Sequence, residues 1–293
     1  MYKQLLFAMA FLFQLLPSKA QDYSRLQQIK GHPFPVYHSN GQTNRAVNIS
    51  GRCADAMAYI SRSLKTKPRF TLLVLTQEDW PHFTKFPVYG MPHYNDDSTL
   101  VVAAEDNAFW KSFIPKMDQL PETMRQKIRQ AYSSAGGEIS MAPFFDLLVL
   151  HELGHAFHFQ GGLNMPRKWM GELFCNVLLH TYIAEKDPAY LPALTVFPEM
   201  VIGGGTDGYR YTSLLDLEAY YDEIGMNHPN NYGWYQSRLH AGAKTIYDAA
   251  GAGVLDKLWK SLLVKSGFPD DKSLAAYLGK NVHPKMAELI LNW

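Results

Sequence analysis

The sequence predicts an α+β protein: a small N-terminal portion whose strands form a mixed sheet, then a mainly helical C-terminal portion. Two short runs, Phe70 to Thr76 and Thr99 to Ala104, are apolar and partly β-branched over the length of a strand. Beyond Pro121 the apolar residues recur at helical spacing instead. The texture changes near residue 120, and no internal repeat interrupts the order.

Taken along the chain, residues 22 to 44 read as loop, punctuated by Gly31-His32-Pro33-Phe34-Pro35. A helix is expected from Arg45 to Leu64, then the strand at Phe70. Trp80 to Ser98 carries four prolines or glycines together with His82 and His93 and reads as a long surface loop before the strand at Thr99. The helical portion is expected to run through Pro121 to Tyr132, a helix following Pro143 and another from Asn164 to Glu185, then Thr212 to Ile224, Tyr232 to Ala249 and Val254 to Val264. A short pair, Ser273 to Leu278 and Pro284 to Leu291, closes the chain. Gly203 to Gly208 has no strand before it and no Lys in register after it, so it reads as a flexible loop and not a phosphate cradle.

The N-terminus reads as a secretory signal peptide: Lys3, an apolar run from Leu5 to Leu16 broken only by Gln14, and Ser18-Lys19-Ala20 before Gln21. The expected divisions are a signal peptide over 1–20, an α+β portion over 21–120 and a helical portion over 121–293. The apolar run is too short to span a bilayer, and residue 21 is not the Cys of a lipoprotein anchor. A secreted or periplasmic protein without stable membrane insertion is the expectation. Loss of residues 1–20 removes Lys3 and Lys19, which reduces 28 basic side chains to 26 against 27 acidic ones, a net charge of −1. That balance offers nucleic acid no electrostatic footprint. The remaining 273 residues can bury one large core or two lobes, and two lobes are expected. Cys53 and Cys175 are the only thiols, which excludes a disulfide framework; both read first as small buried hydrophobes, with export leaving one bridge open between them.

The chemistry concentrates in His151-Glu152-Leu153-Gly154-His155. Positions i and i+4 lie on one helix face, so two imidazoles can supply two nitrogens to one Zn²⁺ while the adjacent Glu points toward the open position where water would bind. From Leu147 to Phe159 the only polar groups that titrate are Glu152 and the histidines, so the helix is expected to be buried. Polar groups buried there carry a desolvation cost that a metal would relieve. Pro143 suits the first turn and Gly161-Gly162 the end. His158 stands where the zinc peptidases with the longer HExxHxxGxxH signature need glycine, and Gly161 where they need their third histidine, which excludes that group.

The third ligand is read from the next helix, where Asn164 can cap and Trp169, Leu173, Val177 and Ile183 keep helical spacing. Its carboxylate, Glu172, lies seventeen residues past His155, enough for one helix to end and an antiparallel neighbour to return. With His151, Glu152, His155 and Glu172 in place, the chain resembles the thermolysin-like gluzincins, whose pattern is HExxH plus a downstream Glu on the following helix. Glu185, Asp187 and Glu199 are rival carboxylates, and His180 reads as structural. The resemblance is strong over residues 140 to 185 only. Where gluzincins often place an Asp that orients the first histidine, this chain has Asn176, whose amide oxygen can still accept an imidazole N–H.

The resemblance implies a zincin-like fold with a cleft between the two portions, an upper rim formed by Leu100 to Ala104, and an oxyanion donor roughly sixty residues beyond the third ligand. That spacing points to Tyr235, with Tyr232 and His240 as alternatives. Asp106-Asn107-Ala108-Phe109-Trp110 looks like a substrate-touching segment of thermolysin, but it follows the strand instead of preceding it and is read as coincidence. Gly90-Met91-Pro92-His93-Tyr94-Asn95 lacks the Glu with which aminopeptidases of the N type hold a free amine. The expectation is therefore an exported zinc hydrolase, foremost a peptidase acting on a peptide or protein substrate, with Glu152 as general base and Tyr235 as oxyanion donor. The alternatives are a non-catalytic binding protein for a polypeptide or glycan and a zinc hydrolase acting on a non-peptide bond.

Overall fold

Residues 22–95, 98–134, 136–265 and 267–293 are described by a computed structural model; the expected signal peptide lies outside them. Leu72, Leu73, Val74 and Leu75 are fully buried in the strand β3 (Thr71–Leu75), as are Leu100 and Val101 in β5 (Thr99–Ala103). These runs are apolar without alternation because the strands are parallel and covered on both faces. They form the centre of one five-stranded mixed sheet in the order β1-β2-β3-β5-β4. Here β1 is Gln27–Ile29, β2 is Val36–His38 and β4 is His93–Tyr94. β2 runs parallel to β3, with Val36 opposite Leu72, whereas β1 and β4 are antiparallel edges.

The helix α1 (Thr43–Leu64) follows β2 and buries Ala46, Ile49, Cys53, Met57, Ile60 and Leu64, a stripe at three- and four-residue spacing. Two single-turn helices, α2 (Trp80–Phe83) and α3 (Ala108–Lys111), flank the last two strands. The helical portion comprises α4 (Glu122–Tyr132), α5 (Ala142–Gln160), α6 (Lys168–Lys186), α7 (Leu191–Gly203), α8 (Leu214–Ala219), α9 (Tyr221–Asn227), α10 (Pro229–Ala250), α11 (Gly253–Leu263), α12 (Asp271–Asn281) and α13 (Pro284–Leu291). α5 is buried on nearly all sides, packing on β4 and β5, on α1 and on α6. One hydrophobic core runs from Leu26 to Ile290, so residue 120 marks a change in secondary structure and not a break between two cores.

Several expectations are corrected. Residues 22–44 hold β1 and β2, and the expected loop from Trp80 to Ser98 holds α2 and β4. Strands of two or three residues are too short to display a period, and only pairing defines them. The helix carrying Glu172 begins at Lys168, not Asn164; the backbone N–H of Asn164 instead donates to Leu262 C=O. The expected helix from Thr212 to Ile224 is broken at Tyr220 into α8 and α9.

α7 was not anticipated, and its sequence explains why. Pro198 stands inside it, removing a backbone donor and crowding the preceding turn. The hydroxyl of Tyr132 occupies the resulting gap: it accepts from Phe197 N–H at 2.9 Å and donates to Ala193 C=O at 2.8 Å, the two groups an unbroken helix would join directly. Tyr132→Phe should leave both backbone groups buried without a partner and destabilise the fold by about 1–3 kcal/mol. Denaturant unfolding with an unchanged slope and a lowered midpoint is the expected result; an unchanged midpoint would show that the helix closes without the hydroxyl.

Candidate metal centre

On α5, His151 and His155 lie one turn apart on one face, with Glu152 beside the first. The face they share meets α6, and two glycines allow the helices to come this close. A Cβ on Gly154 would lie 2.9 Å from Cys175 Sγ and 3.0 Å from Cys175 Cα. A Cβ on Gly171 of α6 would lie 3.3 Å from His158 Cε1 of α5. With both residues small, Glu172 arrives opposite the histidines one turn into α6, and Asn176 one turn later.

The expected ligand residues converge. Glu172 Oε2 lies 3.1 Å from His151 Nε2, and Glu172 Oε1 lies 3.6 Å from His155 Nε2. The role read for Asn176 is present: its Oδ1 accepts from His151 Nδ1 at 3.0 Å, which aims Nε2 at Glu172. Glu172 is also held by Tyr221 Oη at 2.6 Å and Gln236 Nε2 at 2.9 Å, and Gln236 is steadied in turn by Tyr232 Oη at 2.8 Å. The rivals are engaged elsewhere: Glu185 accepts from Tyr247, Asp187 pairs with Arg52 and Glu199 with Lys127. Cys53 and Cys175 are both buried and free, and no bridge joins them.

His151, His155 and Cys175 form a largely buried group whose ligand atoms all lie within 4.8 Å of one another, a set that could hold a metal ion. Glu172 is an alternative third donor: it approaches both imidazoles, through different oxygens, and it is held ionised. Burial, and then the charges of Glu172 and Glu152, push the Cys175 thiol well up, whereas a metal takes the thiolate. Metal–ligand bonds of about 2.0–2.2 Å in a tetrahedron put neighbouring donor atoms about 3.2–3.6 Å apart. The separations from Glu172 to the two imidazoles fall near that length, one from each carboxylate oxygen. On His155 the Nε2 lies 3.6 Å from Glu172, beyond hydrogen-bond reach, and is the nitrogen that can turn to an ion, whereas Nδ1 is buried without a partner.

Electrostatics separate the two carboxylates. Burial raises Glu152 to about 7, opposed by His151 and assisted by Glu172, while the backbone N–H of Tyr94 bonds it. Burial also works against ionisation of Glu172, but His155, His151 and the Tyr221 hydroxyl outweigh it and hold that carboxyl well below the usual range. For His151, burial lowers the imidazolium, yet the bond and charge of Glu172 prevail and raise it to about 9. Burial brings His155 down to about 4. A cavity of about 460 Å³ opens beside this group, lined by His155, Glu172 and Tyr221 with Phe159, Arg167 and Lys168.

Tyr235 is the one expected site residue that is not brought to the cluster. Its hydroxyl donates to Ser213 C=O at 2.9 Å and its ring stacks on Trp293, so its role is packing. Helix α10 does face the site, through Tyr232 and Gln236, and the His240 ring lies 6.3 Å from that of His151. The phenol that reaches the cluster is Tyr221, which sequence reasoning missed because the break at Tyr220 aims it. The strand expected as the upper rim is likewise displaced: β5 is paired on both sides, and the edge strand beside Glu152 is β4. Asn107 caps α3, accepting from Trp110 N–H, which agrees with reading its segment as coincidence. His180 lies away from the cluster beside Tyr247. No protein family matches the chain, and no curated protein matches it.

Gly154→Ala tests the apposition that builds this centre. The added methyl meets backbone as well as sulfur, so the helices must separate at a cost of about 1–3 kcal/mol. A lowered unfolding midpoint is expected, and Gly154→Ala combined with Cys175→Ala should recover only part of it, since the backbone of α6 still stands in the way of the methyl. Full stability in the single variant would mean that the helices do not approach closely there.

Proposed function

We propose that this protein is a zinc-dependent hydrolase of the gluzincin kind, most simply a peptidase, with His151, His155 and Glu172 as metal ligands. The observation that carries the reading is the approach of the two Glu172 oxygens to the two imidazoles, at 3.1 and 3.6 Å, beside a buried Glu152. A zincin-like fold is part of the proposal, supported by the antiparallel edge strand next to the paired α5 and α6.

A Zn²⁺ held by the three side chains would polarise a carbonyl oxygen and acidify water at the open position. The chain's own groups do the rest. Glu152, with a carboxyl near 7, is poised to accept a proton from water at neutral pH and to return it to a leaving amine. Asn176 fixes the His151 ring, and Gln236 and Tyr232 fix Glu172. Tyr221 takes the place expected of Tyr235: it stands on the cavity wall, and its one O–H, which donates to Glu172 at 2.6 Å, would turn from that carboxylate to charge that develops on a substrate oxygen.

Elemental analysis of the purified protein should find one zinc per chain, lost in His155→Ala and Glu172→Ala and retained in Cys175→Ser. Loss from Cys175→Ser with retention in Glu172→Ala would transfer the third ligand to sulfur.

Digestion of an unbiased peptide library tests the reaction. Glu152→Gln should keep the metal while turnover falls by about 10²- to 10⁴-fold. Tyr221→Phe should lower turnover by about 10²- to 10³-fold, the usual effect of removing one oxyanion donor. Zinc retained without cleavage by the wild type would remove the peptidase reading.

A further inference from the structure

We infer that the protein carries a second small-molecule site, a cavity between α6, α7 and α10 that takes an uncharged ligand with an apolar body and a hydroxyl head. The cavity measures about 410 Å³, within the size range of ligand pockets. Leu194, Pro198 and Ile202 of α7 face Ala241 of α10 across it, and His180 and His240 also line it.

Those two histidines are the reason to assign a ligand. They are 3% and 8% exposed, yet among the described residues neither ring makes a hydrogen bond within the protein. Their neighbours are other rings: Tyr247 lies 5.3 Å from His180, and Phe144 and His151 lie 5.8 and 6.3 Å from His240. Buried polar groups are ordinarily partnered. The orphaned Nδ1 atoms of His155 and His158 are sealed in protein, whereas the nitrogens of His180 and His240 are not so enclosed, and the cavity is the space that reaches them.

The ligand's class follows from what the walls can satisfy. A neutral imidazole presents one N–H donor and one acceptor nitrogen, which a hydroxyl matches because it both donates and accepts. Burial pulls His180 down to about 4, against the opposing charge of Asp248, so its ring is neutral near pH 7. The two charged side chains on the rim are already paired, Lys244 with Asp248 and Glu199 with Lys127. A carboxylate or ammonium entering the cavity would therefore lose water without gaining a free countercharge.

Phenol, toluene and benzoate are suitable probes, titrated into the full chain and followed by calorimetry and by the imidazole C–H resonances in NMR. Phenol should bind saturably and about tenfold more tightly than toluene, the worth of one hydrogen bond, with benzoate weaker than phenol. His180→Leu should bring phenol and toluene to within about twofold, and Leu194→Trp should abolish binding of both by filling the cavity. Equal affinity for phenol and toluene in the wild type, no saturable phenol binding, or phenol binding unchanged by Leu194→Trp would each overturn the assignment. None of these readouts involves the metal centre, and the wild-type comparison stands even if a variant fails to fold.

Discussion

Burying Glu152 and Glu172 between α5 and α6 withdraws two carboxylates from water, at several kcal/mol for each ion that stays charged without compensation. The surrounding structure is organised to meet that cost. Glu172 accepts from Tyr221 and Gln236 and faces two imidazoles, while Glu152 is bonded by the backbone of β4. These partners come from four separate elements, α5, α9, α10 and β4, so the sheet, the helical portion and the α8–α9 break are all required for one carboxylate pair. Gly154 and Gly171 belong to the same requirement, because without close approach of α5 and α6 the imidazoles and Glu172 would not meet.

The two carboxylates end in different states although they lie near one another. Glu152 has one backbone N–H, and burial together with the charge of Glu172 outweighs that bond and His151, so its carboxyl rises. Glu172 has two side-chain donors and two imidazoles, so its carboxylate stays ionised. Environments that push two acids apart in this way are how a single site obtains a proton carrier and a fixed negative charge together. The proposed roles, base for Glu152 and ligand for Glu172, follow that division.

What could be read from the sequence is what depends on local spacing. His151, Glu152 and His155 share a helix turn, and Asn176 lies one turn beyond Glu172, so both relations are set by helical periodicity before any tertiary contact forms. Tyr221 could not be found in this way: it reaches Glu172 across forty-nine residues, and only the break at Tyr220 turns it inward. Tyr235 was favoured by spacing from the third ligand, yet a single helix presents Tyr232, Tyr235 and Gln236 in different directions, and Tyr235 faces Ser213 and Trp293. The short strands β1, β2 and β4 exist through pairing alone. α7 persists through a proline because Tyr132, from another helix, bridges the gap. Each miss is a case of long-range partnership overriding a local signal.

The kind of donor around Glu172 also bears on the proposed metal. A carboxylate paired with Arg or Lys is neutralised and has little further attraction for a metal. The hydrogen bonds to Glu172 come instead from a phenol, an amide and His151, and Arg167 and Lys168 line the adjoining cavity without bonding to it. Arg167 is taken up by Asp271, and Lys168 reaches toward Asp222. Neutral donors fix the position of a carboxylate while leaving its charge in place. His151, whose imidazolium Glu172 favours, meets that carboxylate through the same Nε2 that the proposed metal would take.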